Sequence, residues 1–438
     1  MTKTLPDLVP DAELNLPRER ERTLPNGLTV IAIRRSAVPL VEVRLRIPFA
    51  QAGLAPATLL SQALFTGTSG MNSIDIAAEL QAVGGSLAAG LDPDRLLISG
   101  NALADGLDRT LELLASVLTD ATYPVEEVST ERDRLVDHIQ VALSQPAHLA
   151  RVALLKRMYG SHPYAVQTPS PEEIRALSPE PLRDLHAARV RPDGAVLVLV
   201  GDIDPDQAID SAEKILGGWS GSSPEGGLPP TPALETGPLL LVDRPGSVQS
   251  SLRLALPALT RTDPDYAALN LANLVFGGYF SSRWTENIRE DKGYTYGSYS
   301  SIEHYVAGSA LVAAAEVATE VTGPSLLETV YELGRIASLP PGEEELEQAR
   351  RYALGTLRLG MSTQAGLAGL ASVYAGFGLR LDHLREYSAA LSAATREEVA
   401  AAASKYLAPS RAVTVVLGDA EKIESQLSAL TVVERSAA

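Results

Sequence analysis

The chain has 438 residues, 45% hydrophobic and 21% charged, with no cysteine and a formal net charge of −17. That apolar content excludes wholesale disorder, and the length calls for two or three domains. The missing cysteines exclude a disulfide scaffold and any thiolate metal site or thiol nucleophile, and the acidic balance repels phosphate backbones, so no nucleic-acid partner is expected.

The first sixteen residues, to Leu16, contain no apolar leader, and the cytoplasm is the expected location. The charged run Arg18–Arg22 reads as a solvated part of an N-terminal arm spanning 1–22. Val41, Val43, Leu45 and Ile47 alternate with polar residues, the period of a half-buried strand. Ile47 to Ile74 is the longest uncharged stretch, but Pro48, Gln51, Pro56, Gly67 and Gly70 make it a strand end, a buried helix and a turn; no membrane span is expected. Helices are expected over Ala55–Phe65, Ser73–Val83, Ala104–Thr119, Val125–Gln145 and Ser178–Ala188, with Pro146 as a stop. A buried strand then runs from Ala195 to Gly201.

The second half repeats the first. Pro192 and Pro409, Gly201 and Gly418, and Asp202 and Asp419 are each separated by 217 positions, and both apolar runs end in Gly-Asp. Ser250–Pro257 rhymes with Val41–Pro48. Between the halves, 217–238 is dense in Gly, Ser and Pro and reads as a linker. Helices are expected over Pro264–Val275, Ser282–Asp291, Pro324–Ala337, Glu343–Arg358 and Thr395–Tyr406, with Asp263-Pro264 as a capped start. Strands mixed with helix clusters give an α+β chain of two homologous domains, 23–216 and 239–438, each a mixed β-sheet packed by helices.

No two of the six histidines lie three or four positions apart, so neither H-E-x-x-H nor H-x-x-E-H is present. No G-x-S-x-G elbow, phosphate loop or G-x-G-x-x-G occurs either.

An ordered set of motifs resembles the pitrilysin/insulinase-type zinc peptidases over about residues 22 to 420. It consists of Leu24–Val30, Tyr159–Tyr164 followed by the strand to Asp202, Gly277–Trp284, and Asn287–Gly297. The resemblance implies a fold like that of the mitochondrial processing peptidases, and a split of labour between two chains. Active members carry H-x-x-E-H before a Phe-x-Gly-Thr turn. Here that turn is Phe65–Thr68, and the matching positions are Thr58, Ser61 and Gln62, still i, i+3, i+4 on one helical face. The family's third ligand position falls on His138. Thr and Gln are poor zinc ligands and no glutamate remains as general base, so this chain is expected to bind no metal.

The resemblance further assigns Arg289 and Tyr296 as the arginine and tyrosine that the zinc-free chain contributes, a phenol for the developing oxyanion and a guanidinium for substrate carbonyls. It assigns Gly277, Gly278, Tyr279, Phe280, Ser281 and Ser282 to a loop lining the peptide cleft. Taken without the family, that segment is an ordinary helix–helix turn, Arg289 pairs with Glu286 or Glu290 on the surface, and Tyr296 simply packs. From the sequence, Arg289 should sit near a helix end closed by Gly293 and Tyr296 on the following strand, with Tyr294 competing for its role. The expected function is the non-zinc-binding subunit of a heterodimeric zinc endopeptidase. It would act on peptides with a homologous partner that carries H-x-x-E-H and the zinc. The alternative is an inert peptide-binding or scaffold protein of the same fold.

Overall fold

A computed structural model describes residue 14 and residues 16–222 and 227–437. Two six-stranded mixed sheets form the frame. The first consists of β1 (Glu19–Thr23), β2 (Thr29–Arg34), β3 (Leu40–Pro48), β4 (Ser86–Leu91), β5 (Arg95–Leu103) and β6 (Val196–Gly201), in the order β1-β2-β6-β3-β5-β4. The second consists of β7 (Leu239–Asp243), β8 (Gln249–Pro257), β9 (Ser298–Tyr305), β10 (Gly308–Ala318), β11 (Val413–Gly418) and β12 (Val433–Ala437), in the order β12-β7-β11-β8-β10-β9. The orders superpose: the repeated Gly-Asp strands, β6 and β11, occupy the same inner place. Each lies parallel to one neighbour (β2, β7) and antiparallel to the other (β3, β8).

The edges differ. The charged run read as a solvated arm is instead edge strand β1, antiparallel to β2, with Arg22 hydrogen-bonded to Asp210 and Glu213 at 2.8 Å each. Alternating charge leaves one face able to pair with acidic residues of the helix Pro205–Leu216, which single-strand periodicity does not report. The second sheet closes the same edge with β12, parallel to β7 and drawn from the C-terminal end.

Each sheet is buried on both faces, which is why its central strands are continuous Val/Leu runs. On one face of the first sheet, Val30, Ala32, Leu197 and Leu199 join the core beneath the helices Leu54–Ala63 and Leu107–Asp120. On the other, Ile31, Ile33, Val198 and Val200 pack against the helix Gln364–Ala375, which comes from the second half of the chain. The exchange is mutual. The helix Pro146–Tyr159, from the first half, places Leu154, Leu155 and Met158 on Val242, Ala255, Val415 and Leu417 of the second sheet. The buried Gln364 amide donates to the main-chain oxygens of Arg35 and Val38, at 2.6 and 3.0 Å, and fixes the donated helix at its start.

Neither exchanged helix has a simple amphipathic stripe: Gln364–Ala375 is apolar or small nearly all round, and Pro146–Tyr159 intersperses Arg151, Lys156 and Arg157 among its apolar residues. Pro146 stops one helix, Val125–Ser144, as expected, and is also the first residue of the next. The helix expected from Pro264 starts at Tyr266; Asp263 accepts from the Asp265 N–H at 2.9 Å and turns the preceding loop instead. No helix among the described residues is long and apolar enough to cross a membrane.

Candidate functional site

The helix Leu54–Ala63 sets Thr58, Ser61 and Gln62 on one face, and all three line an open pocket of about 660 Å3. The Thr58 hydroxyl donates to the Leu54 carbonyl at 2.7 Å and the Ser61 hydroxyl to the Thr58 carbonyl at 2.8 Å, so both protons stay within the helix. The opposite wall is Gly160–Pro163 and Ala165–Gln167, the segment whose Tyr159–Tyr164 motif supports the resemblance. His162 is committed there: its Nδ1 accepts from the Tyr164 N–H at 3.2 Å and its Nε2 donates to the Pro229 carbonyl at 2.9 Å.

His138 is not part of this pocket. It is exposed on the helix Val125–Ser144, while that helix turns Val136 and Ile139 inward. The chain spacing that placed His138 beside Gln62 therefore does not bring its imidazole to the pocket wall. Among the described residues no group of three or more His, Asp or Glu could hold a metal. Neutral hydroxyls spent on helix carbonyls and an imidazole with both nitrogens engaged do not make a zinc site.

The second half builds a different feature. The helix Tyr266–Asn273 widens into a turn over Leu274–Gly278, and a second wide turn spans Glu286–Asp291, where the Lys292 N–H reaches back five residues to the Asn287 carbonyl at 3.1 Å. Wide turns of this kind frequently occur at functional sites. Gly293 follows with φ +64°, the left-handed closure expected from the sequence. Tyr294 and Tyr296 then lie in an extended bend ahead of β9, not on the strand itself.

This bend folds back on Arg289. The Arg289 Nε donates to the Tyr296 main-chain oxygen at 2.7 Å, and Nη1 pairs with Glu290 at 2.6 Å. The guanidinium carbon stands 4.3 Å from the Phe280 ring centre and 5.5 Å from that of Tyr296. Two aromatic rings thus flank one fixed cation. The Tyr296 side chain is 92% exposed and Phe280 62% exposed.

The Gly277–Ser282 segment is split between packing and surface. Gly277 is buried, and a Cβ there would stand 2.9 Å from the Trp284 ring; at Gly278 it would stand 2.8 Å from the Asn273 amide nitrogen. Ser282 is buried and donates to Thr285 at 3.1 Å. Tyr279 stacks on Tyr352 with ring centres 5.0 Å apart, and burial raises its phenol above the ordinary range. Of the six, only Phe280 and Ser281 are exposed. Behind the segment, Arg283 is held by both carboxylate oxygens of Glu345, and Trp284 stacks on Phe276 while donating to Thr329 at 3.0 Å. Sequence reasoning missed the Phe280–Arg289 stacking and the pocket residues Asp92 and Gln167; eight intervening positions separate the first pair, and no helical or strand period links them.

Comparison with known proteins bears on both features. Residues 50–172 match the family model of the insulinases (peptidase family M16), and residues 176–352 match that of the peptidase M16 inactive domain. An uncharacterized zinc protease of Mycobacterium leprae is 26% identical over 77% of this chain and 77% of its own length. A probable inactive metalloprotease of Bacillus subtilis is 22% identical over 68% of this chain and 71% of its own. The crystal structure of a peptidase M16 inactive domain from Pseudomonas fluorescens superposes with a TM-score of 0.85 at 25% identity, covering 92% of this chain and 98% of that one. Two adjoining family models, relatives that align over most of their length and a shared two-sheet frame make this chain a member of the insulinase-type M16 peptidase family.

Proposed function

We propose that this chain is the zinc-free subunit of a heterodimeric metalloendopeptidase of the cytoplasm, and that it supplies Arg289 and Tyr296 to a peptide chamber shared with a homologous subunit carrying H-x-x-E-H and zinc. The observation that carries the reading is the Arg289–Tyr296 unit: a guanidinium pinned between two rings, beside a phenol whose hydroxyl is free to meet a ligand. The phenolic O–H donates to the oxygen that becomes negative when a peptide carbonyl is attacked. The guanidinium, fixed by the Tyr296 carbonyl and Glu290, turns its remaining donors to substrate carbonyls. The partner holds the metal; the Thr58–Ser61–Gln62 face of this chain offers it no ligand set. Gly277–Ser282 lines the cleft through its exposed Phe280 and Ser281.

A second reading, an inert peptide-binding or scaffold protein, draws on the likeness to a probable inactive metalloprotease. Purification of the tagged chain from its native cell, with zinc analysis and a quenched-peptide assay, separates the two. The heterodimer reading expects zinc and cleavage only when a second chain of similar size is present. A chain that comes out alone, metal-free and inert supports the scaffold; one that alone binds stoichiometric zinc and cleaves peptides overturns both.

A further inference from the structure

The pocket beneath Thr58, Ser61 and Gln62 has lost its metal chemistry, yet it is not featureless, and a count of its hydrogen-bonding groups gives it a chemical preference. Its side-chain donors are nearly all spent. The Thr58 and Ser61 protons go to helix carbonyls, and the His162 Nε2–H goes to Pro229. The Gln167 amide nitrogen points to the Tyr164 carbonyl at 3.4 Å and the Tyr305 hydroxyl at 3.2 Å, which fixes its oxygen as the free end. Pro93 and Pro163, in the wall, bring no N–H. Among the side chains, what remains able to donate is one Gln62 amide, weakly engaged with Ser61 at 3.5 Å, the Ser161 hydroxyl, and the Gln51 amide 3.4 Å from the Gly227 carbonyl; the uncapped start of the helix Leu54–Ala63 adds main-chain N–H groups at Gly53 and Leu54.

Acceptors, by contrast, are left over. Thr58 and Ser61 keep hydroxyl lone pairs, and the Gln167 side-chain oxygen accepts no hydrogen bond. Asp92 Oδ1 accepts the N–H groups of Asp94 and Arg95 at 2.8 and 2.7 Å, but Oδ2 has only Arg46, at 3.6 Å. That distance is too long for a hydrogen bond. The two nearby arginines serve it only in part: Arg46 reaches Oδ2 through this long ion pair alone. Arg46 Nε donates to Ser372 at 2.6 Å, and Arg95 donates to the Gly376 carbonyl while its guanidinium covers the Phe377 ring at 5.2 Å. Burial outweighs their pull and holds the Asp92 carboxyl above its ordinary range.

A pocket with surplus acceptors, one half-served carboxylate oxygen and apolar flanks from Phe49, Leu54 and Val166 suits a group with an apolar stem and a donor-rich, positive tip. We propose that this pocket binds the basic side chain, lysine or arginine, of a peptide, with Asp92 Oδ2 as its counter-charge. The inference rests on the proposed function only for the ligand's being a peptide, and it needs neither zinc nor a partner subunit. The degenerate metal site thereby becomes an anchoring site for basic residues.

The test is fluorescence anisotropy of the full chain with three labelled, end-blocked pentapeptides, alike except for a central lysine, norleucine or glutamate. The lysine peptide should bind at least about tenfold more tightly than the norleucine peptide, and the glutamate peptide most weakly. Asp92→Asn keeps the Oδ1 acceptor for its turn, and should shrink the lysine preference to within about threefold. Should that variant fold poorly, Gln62→Glu, on an exposed position, should widen the preference several-fold. Equal affinities for lysine and norleucine, or no binding of any peptide up to millimolar concentration, overturn the proposal. Neither result touches the peptidase reading, which stands or falls on co-purified zinc-dependent cleavage and on Tyr296.

Discussion

The two halves of this chain share a sheet order and almost nothing at the places where chemistry could occur. In the first half, the helix after the third strand is regular, and its inward hydroxyls are absorbed by its own carbonyls. In the second, the corresponding helix Tyr266–Asn273 widens at its end, and a second wide turn at Glu286–Asp291 precedes the bend that sets Tyr296 against Arg289. One half ends in a pocket rich in hydrogen-bond acceptors and the other in a fixed cation beside an exposed phenol. Residues in the sheets are constrained by neighbours on both faces, whereas the helix ends and bends outside the ladders are free to diverge. The comparison teaches that in a duplicated fold the frame and the site are separable.

Acid offers the largest way to sharpen it. Each half buries a tyrosine–histidine pair: Tyr123 with His186 at 2.7 Å, and Tyr266 with His304 at 3.1 Å. Burial lowers both histidines, and His304 is held at about 3 against an ordinary 6.5. Between those two pH values the unfolded chain binds a proton that the folded chain refuses. The stability from the neutral ring is therefore complete above pH 6.5 and falls as pH drops toward 3, by roughly 5 kcal/mol for His304. Urea midpoints measured across that window should fall less steeply for His304→Asn than for wild type.

Trp284→Ala removes the indole buried between Phe276 and Thr329, and should cost about 3–5 kcal/mol. Because the halves exchange helices, hydrogen exchange should show protection lost in β6 as well as in β11. Loss confined to the second sheet would break the picture of interlocked halves. Tyr296→Phe in the reconstituted complex should lower kcat about 10²–10³-fold, while Thr58→Ala should leave kcat for uncharged peptides within about twofold. An unchanged kcat for Tyr296→Phe removes the oxyanion role and leaves the fold untouched. The smallest effect is Gly293→Ala: a Cβ there meets nothing within 4 Å, so only the φ of +64° is strained, at about 1 kcal/mol.

Much of this architecture can be read along the chain. The Val/Leu runs before Gly201 and Gly418 announce paired inner strands because burial on both faces demands apolar residues at every position. Arg289 and Gly293 likewise announce a helix end, since a left-handed residue there favours glycine. The exchanged helices are not legible: nothing in Gln364–Ala375 says which of two similar sheets it covers, and its Gly366 and Gly369 blur the helical signal. Edge strand β1 was hidden because its charges are partnered by a helix some 190 residues away. The wide turn ahead of Tyr296 is not legible either, since no residue of Glu286–Asp291 marks a five-residue spacing.

The exchange of helices also bears on how the chain is made. A ribosome releases the helix Pro146–Tyr159 long before the strand Val413–Gly418 that it covers. At about 5–20 residues per second, the apolar face of Leu154, Leu155 and Met158 waits on the order of 10–50 seconds for its seat. Over almost the same interval the outer face of β6 lies bare, awaiting Gln364–Ala375. Two sticky surfaces thus coexist on every nascent copy, each complementary to a segment that neighbouring copies on the same messenger already expose. Cross-pairing between nascent chains is the hazard this topology creates, and shielding by chaperones during synthesis is what it demands.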